Sequence, residues 1–285
     1  MIRIAFYTAF ALVAFAFNSI LCRMALSGRE ADAVGFTLVR LISGATVLAG
    51  ISYFAGKKDL SIKRGNWISA FFLFAYAICF SFAYLGLTAG TGALILFGWV
   101  QFTMIFWGLF RGERPGAIEW AGIIIALGGL VYLVLPGLTA PPLSSALLMA
   151  AAGAAWGIYT LRGRKSTDAL GDTAGNFIRS VPMIALAAIP FFSQINLSPR
   201  GFLLAILSGA VASGVGYTIW YSVLKHHTST RAAVLQLAVP VITAVAGVLF
   251  LDEAASFRIW IAASLILGGI LLVVLLQRRR GQIVS

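Results

Sequence analysis

Tyr76, Phe80 and Tyr84 follow one another at i, i+4 and i+8, which puts their rings on one face of a helix. Tyr217 and Tyr221 repeat Phe80 and Tyr84 at an offset of 137 positions. Hydroxyls in an apolar stretch need partners and avoid lipid. Such a face is a wall that stacks on an aromatic ligand and bonds its polar groups; the alternative is helix packing with each hydroxyl bonded to backbone. Trp99 and Trp156 lie deep in apolar runs and are assigned to the same wall. Trp67, Trp120 and Trp260 stand near the starts of runs, as membrane-interface residues do. Asn18, Gln101 and Gln236 are amides at similar depth. Either they tie helices together or they reach a substrate's ammonium or carboxylate. Pro240 kinks its segment or frees a carbonyl there.

The charged residues rule out more than they suggest. The nine acidic residues are Glu30, Asp32, Asp59, Glu113, Glu119, Asp168, Asp172, Asp252 and Glu253, and each falls in a loop or near the end of an apolar run. Glu113 beside Arg114 and Glu253 beside Arg258 read as ion-pair or cap residues. His226 and His227 have no Cys or carboxylate cluster near them, so neither a metal site nor a cofactor is expected. There is no phosphate loop, no HExxH and no Ser paired with a deep His, so the chain does not read as an enzyme. Arg40 and Arg179 are the deep charges, 139 positions apart. A charge at mid-membrane costs at least about 2.5–3.5 kcal/mol. Their recurrence points to a structural role, snorkelling or bonding to carbonyls, ahead of substrate contact.

The elements that must position these residues are membrane helices. Sixty per cent of the chain is hydrophobic, 11% is charged and the mean hydropathy is +0.96. Ten apolar runs are long enough to span: about 4–26, 33–55, 67–88, 91–111, 116–135, 143–162, 172–193, 201–224, 230–251 and 256–277. The sixth, rich in Ala and Gly, is expected to pack against helices rather than lipid. The net charge of +12 is not a nucleic-acid signal. With the N-terminus inside, 15 of the 21 basic residues fall on the cytoplasmic side, which follows the positive-inside rule and puts both termini in the cytoplasm. The first run lacks a cleavage site and reads as a retained helix. Cys22 and Cys79 sit within runs and imply no disulfide.

The chain repeats itself. Glu113, Trp120, Gly128 and Gly129 recur as Glu253, Trp260, Gly268 and Gly269, each 140 positions on. Phe17 matches Trp156 at an offset of 139. The fold expected is therefore all-α and integral to the membrane, a single domain over 1–285 made of five-helix repeats at 1–138 and 139–285. A second copy of an odd unit enters from the opposite side, so the repeats are inverted, as in secondary transporters with a midplane site. Two such repeats, each with an acidic residue after its fourth helix and a Gly-rich fifth helix ("IIIALGGLVYL", "LILGGILLVVL"), resemble the EamA-type branch of the drug/metabolite transporter superfamily. "FNSILCRMAL" and "QLAVPVITAVAGVLFLDE" fit the same pattern. The aromatic-rich spans are similar to the bacterial aromatic amino acid exporters of the YddG type.

The resemblance implies a multi-pass carrier of the bacterial inner membrane that exports neutral or zwitterionic metabolites, aromatic amino acids foremost, by alternating access. Its partners would be a small-molecule substrate and the bilayer, with no nucleic acid, and a monomer suffices. The candidate substrate residues are Asn18, Phe80, Tyr84, Trp99, Gln101, Trp156, Tyr217, Tyr221 and Gln236. With no deep Asp, Glu or His to bind a coupling proton, transport is expected to be facilitative. Efflux of lipophilic drugs or cations such as viologens is the alternative, though a cation pump usually needs a membrane carboxylate. A pore is the remaining class, and it would more naturally show a polar ring.

Overall fold

The computed structural model describes residues 2–55, 64–110, 112, 116–135, 140–164, 166–224, 226, 235–254 and 256–283. Its helices run in the order α1 (Ile2–Ser27), α2 (Ala33–Phe54), α3 (Trp67–Ala83), α4 (Ala89–Phe110), α5 (Ala117–Val134), α6 (Leu143–Gly163) and α7 (Ala169–Ala188), the last continued by a 3-10 segment (Ile189–Gln194). They are followed by α8 (Pro199–Leu224), α9 (Ala238–Leu251) and α10 (Phe257–Ile283). By length and composition, α1, α2, α4, α6, α8 and α7 with its extension can cross a membrane; α3 and the apolar parts of α5, α9 and α10 are shorter. The chain is an all-helical, multi-pass membrane protein.

Its polarity is inverted relative to a water-soluble bundle. Phe54, Phe110, Phe192 and Leu249 are bare on the outside, while Asn18, Thr37, Arg40, Gln101 and Gln236 are buried. Backbone and side-chain polar groups must then be satisfied within the bundle. Thr37 does so by donating to the Ala33 carbonyl at 2.7 Å while its hydroxyl also meets that of Ser81 at 2.8 Å.

The twice-written helix packs against its own copy. α5 lies chiefly along α10. A Cβ at Gly129 would come within 2.8 Å of the Leu265 side chain, and one at Gly269 within 2.5 Å of the Gly122 carbonyl. Gly128 and Gly268 face open space. The second glycine of each pair is what lets the two backbones approach. α6 packs on α3 and α4, as its small residues imply: a Cβ at Gly153 would lie 2.5 Å from the Leu96 carbonyl.

One helix departs from regular geometry. α8 is α-helical over Pro199–Ile206, π-helical over Leu207–Val215 and α-helical again over Gly216–Leu224. The π stretch, LSGAVASGV, is mostly small residues, so its wider turns meet α2 at close range. A Cβ on Gly209 would lie 2.0 Å from the Arg40 carbonyl. Such stretches often mark functional sites.

The ninth segment is interrupted next to Pro240. α9 starts at Ala238 after a break at Leu237. Pro240 therefore stands in the first turn of α9, just after the break that separates it from the helical Leu235 and Gln236. Glu113, His227, residues 230–234, most basic residues of the loops (Lys57, Lys58, Lys63, Arg111, Arg114, Lys165, Lys225, Arg231) and the side chains of Arg278, Arg279 and Arg280 lie outside the described residues.

Candidate functional site

Aromatic rings from four helices meet in the middle of the bundle. Trp156 of α6 has ring centroids at 4.5 Å from Tyr217, 5.1 Å from Tyr76 and 5.8 Å from Phe15. Phe80 lies 5.3 Å from Tyr76. These rings, with Asn18, Leu96 and Phe97, enclose a small cavity with room for about one water molecule. Edge and tilted contacts of this kind are worth about 0.5–1.5 kcal/mol each beyond area burial.

The polar groups here form one network. Arg40 of α2 is 1% exposed. Its Nε donates to the Ser213 hydroxyl at 3.2 Å, and its Nη2 donates to the hydroxyls of Tyr76 at 3.2 Å and Tyr217 at 3.1 Å. The guanidinium also lies over the rings of Tyr76 (5.2 Å) and Phe80 (5.0 Å). Asn18 donates to the Tyr76 hydroxyl at 3.2 Å and accepts from Ser208. Ser208 and Ser213 both come from the π stretch of α8.

The two ends of the bundle differ. At one, Arg23 of α1 pairs with Glu253 at 3.2 Å and donates to the Tyr84 carbonyl at 2.9 Å. Glu253 also accepts from the Ala89 backbone N–H at 2.8 Å, so it caps the start of α4. The Ala31 and Leu197 backbones form an antiparallel bridge there, and Ser198 reaches both the Glu30 carbonyl and its carboxylate. At the other end a polar vestibule of roughly 100 Å³ is lined by Asn66, Ser69, Tyr159, Arg162, Asp172 and Tyr221, among others. Tyr159, which lines the vestibule, has its ring centroid 5.5 Å from that of Trp156, which lines the central cavity.

The residues singled out from sequence divide accordingly. Asn18, Phe80, Trp156 and Tyr217 meet at the centre. Tyr221 lines the vestibule, its buried hydroxyl without a partner. Tyr84 is the C-cap of α3, not a mid-helix wall; its ring touches Phe80 at 4.7 Å and its hydroxyl donates to the Ala89 carbonyl. Trp99 is 38% exposed and outside the cavity, because the buried face of α4 carries Leu96, Phe97, Val100 and Gln101 instead. Gln101 and Gln236 are buried but line neither space. Glu253 is a cap and ion-pair residue, but its partner is Arg23, not Arg258. Asp252 takes a left-handed conformation at φ 51°, which turns the chain so that Glu253 faces α4.

Sequence reasoning passed over Phe15 and treated Arg40 and Arg179 alike, on helical depth. The structure separates them: Arg179 reaches the Arg64 and Gly175 carbonyls near the vestibule end, as snorkelling requires, while Arg40 stays at the centre on hydroxyls. The family profile of EamA-like transporters matches the chain twice, over residues 2–135 and 143–275.

The chain belongs to the EamA-like transporter family. An uncharacterised protein of Pseudomonas aeruginosa is 48% identical over 266 residues, 93% of this chain and 92% of that one. A probable amino-acid metabolite efflux pump of Escherichia coli is 26% identical over 75% of this chain and 76% of its own. The aromatic amino acid exporter YddG of Salmonella typhimurium is 24% identical over 84% of this chain and 89% of its own. A protein crystal structure 21% identical, covering 96% of this chain and 97% of its own, superimposes with a TM-score of 0.69 and so shares the fold. For an EamA-like transporter the small central cavity and the vestibule are the natural places to seek cargo.

Proposed function

We propose that this transporter is a facilitative carrier of neutral or zwitterionic metabolites, with aromatic amino acids as its main cargo, working by alternating access in the bacterial inner membrane. Ten spans in two inverted repeats, 1–138 and 139–285, with both termini cytoplasmic, complete the reading. The observation that carries it is the difference between the two ends: an ion pair, a helix cap and a backbone bridge close one, and a polar vestibule indents the other. Between them lies a cavity walled by rings, which suits stacking on an aromatic side chain. A continuous pore would not be closed at one end by such contacts. The names of the E. coli and Salmonella relatives support an amino acid cargo.

In this cycle the aromatic cargo enters from the vestibule, past Tyr159 and Tyr221, and displaces the mutual stacking of Trp156, Tyr76 and Tyr217. The locked end then opens as the vestibule end closes. The test is export from intact cells fed with aromatic dipeptides. Cells expressing the protein should clear free phenylalanine faster than cells with an empty vector; equal clearance at verified expression refutes the reading.

A further inference from the structure

We propose that Arg40 is the anchor for an anionic group of the cargo, so that the transporter selects molecules carrying a carboxylate beside an aromatic or apolar body. This rests on the central aromatic cavity being the substrate site.

Arg40 is a fixed charge placed where charges are least tolerated. A buried guanidinium is retained only when its surroundings compensate it. Every hydrogen-bond partner of Arg40 is a neutral hydroxyl, from Ser213, Tyr76 and Tyr217. Among the described residues no carboxylate pairs with it; Glu253, Asp168 and Glu30 pair with Arg23, Arg64 and Arg200 instead. Its Nη1 is buried with no partner at all. The network is therefore complete except for an acceptor at Nη1 and one negative charge. A carboxylate supplies both, as a charge-assisted acceptor for the open Nη1.

The repeat makes the placement more telling. Arg179 occupies the matching position in the second half and discharges its donors onto the Arg64 and Gly175 carbonyls. The helix position thus does not force an arginine to the centre. Arg40 is held there by α3 and by the π stretch of α8, the same elements that form the cavity wall. Two of its partners, Tyr76 and Tyr217, line that cavity. A cargo ring stacked among Trp156 and Phe15 would have its acid group next to this guanidinium. A lipophilic cation would meet an uncompensated positive charge, which argues against the viologen class of substrate.

The experiment is ligand-dependent thermal stabilisation of the purified full-length protein, since a ligand that binds the folded state raises its melting temperature. The probes are L-phenylalanine, 3-phenylpropionate, phenylalaninamide and phenethylamine, which share a ring and differ in acid and amine. L-phenylalanine and 3-phenylpropionate should stabilise the protein, and the two compounds without a carboxylate should require at least about tenfold higher concentration. Arg40→Gln should erase this preference, and Arg40→Lys should keep it in weakened form. Equal stabilisation by all four, or an unchanged preference in Arg40→Gln, overturns the proposal while leaving an aromatic cargo standing. Stabilisation by 3-phenylpropionate but not by L-phenylalanine, dependent on Arg40, supports the proposal and refutes the amino acid reading. If no probe stabilises the protein, both fall. Should Arg40→Gln not fold, the acid and amide comparison on the native protein still decides.

Discussion

Arg23 and Glu253, 230 positions apart, meet at 3.2 Å and join the end of α1 to the turn after α9. Glu253 also holds the first backbone N–H of α4, so one carboxylate ties three helices. Both side chains are partly buried, at 21% and 12% exposure, and hydrogen bonds to a charged group of this kind contribute about 1.5–3 kcal/mol. Glu253→Gln should therefore lower the melting temperature and loosen this end first. Hydrogen exchange should rise at the start of α4 and the end of α1 while α5 and α10 keep their protection. Uniform loss across all helices would show that the pair is a general brace.

The same end offers a covalent test of gating. Ala31 and Leu197 face one another in an antiparallel bridge, where Cα atoms lie about 4.5–5.5 Å apart, within disulfide range. Cys22 and Cys79 are free thiols and are first replaced by serine. Oxidation of the Ala31→Cys, Leu197→Cys variant should arrest transport, and reduction should restore it. Unimpeded flux through the cross-linked protein would mean that this end need not open.

The glycine pairs of α5 and α10 give a contrast within one motif. Gly129→Ala and Gly269→Ala drive a methyl into the opposing helix and should each destabilise by about 1–3 kcal/mol. Gly128→Ala and Gly268→Ala enter open space and should be neutral or stabilising by up to about 1 kcal/mol. Thermal unfolding in detergent ranks the four; equal effects within each pair would contradict the α5–α10 contact.

At the centre, Trp156→Ala and Tyr217→Ala remove rings that touch one another at 4.5 Å and should cut phenylalanine transport at least about tenfold, as loss of more than about 1.4 kcal/mol of stacking requires. Trp99→Ala, on the half-exposed face of α4, should leave transport unchanged. Initial rates at matched expression check this. A reversal of the ranking would move the site toward α4.

Some of this architecture is plain in the sequence and some is not. The glycine pairs of α5 and α10 are legible as a repeat, but that the two copies pack on each other emerges only in the fold. The Tyr76, Phe80 and Tyr217 wall is legible because ring spacing follows helical period. Trp99 misleads because depth in an apolar run fixes height in the membrane but not direction around the helix. Arg40 and Arg179 share a depth and differ in what surrounds them, which only neighbouring helices determine. The π stretch of α8 leaves no local pattern: a run of small residues permits it, and its Ser208 and Ser213 meet Asn18 and Arg40 across the bundle. Glu253 finds Arg23 instead of Arg258 because a single left-handed residue, Asp252, redirects the chain.

The proposed facilitative mode has its own test. Among the described residues no Asp or Glu lines the central cavity, and the proposed facilitative mode needs no titrating carboxylate there. In proteoliposomes an imposed pH gradient should not drive phenylalanine above its equilibrium distribution. Accumulation that tracks the gradient and collapses with a protonophore would reveal a coupling site.

Counterflow of labelled L-phenylalanine tests the central claim most directly. Proteoliposomes loaded with unlabelled phenylalanine, with identical buffer on both sides, are diluted into tracer. The account predicts a transient overshoot of label that saturates with concentration, is suppressed by external L-tryptophan, and disappears in Trp156→Ala. Uptake that is linear in concentration, indifferent to tryptophan and free of overshoot would contradict it.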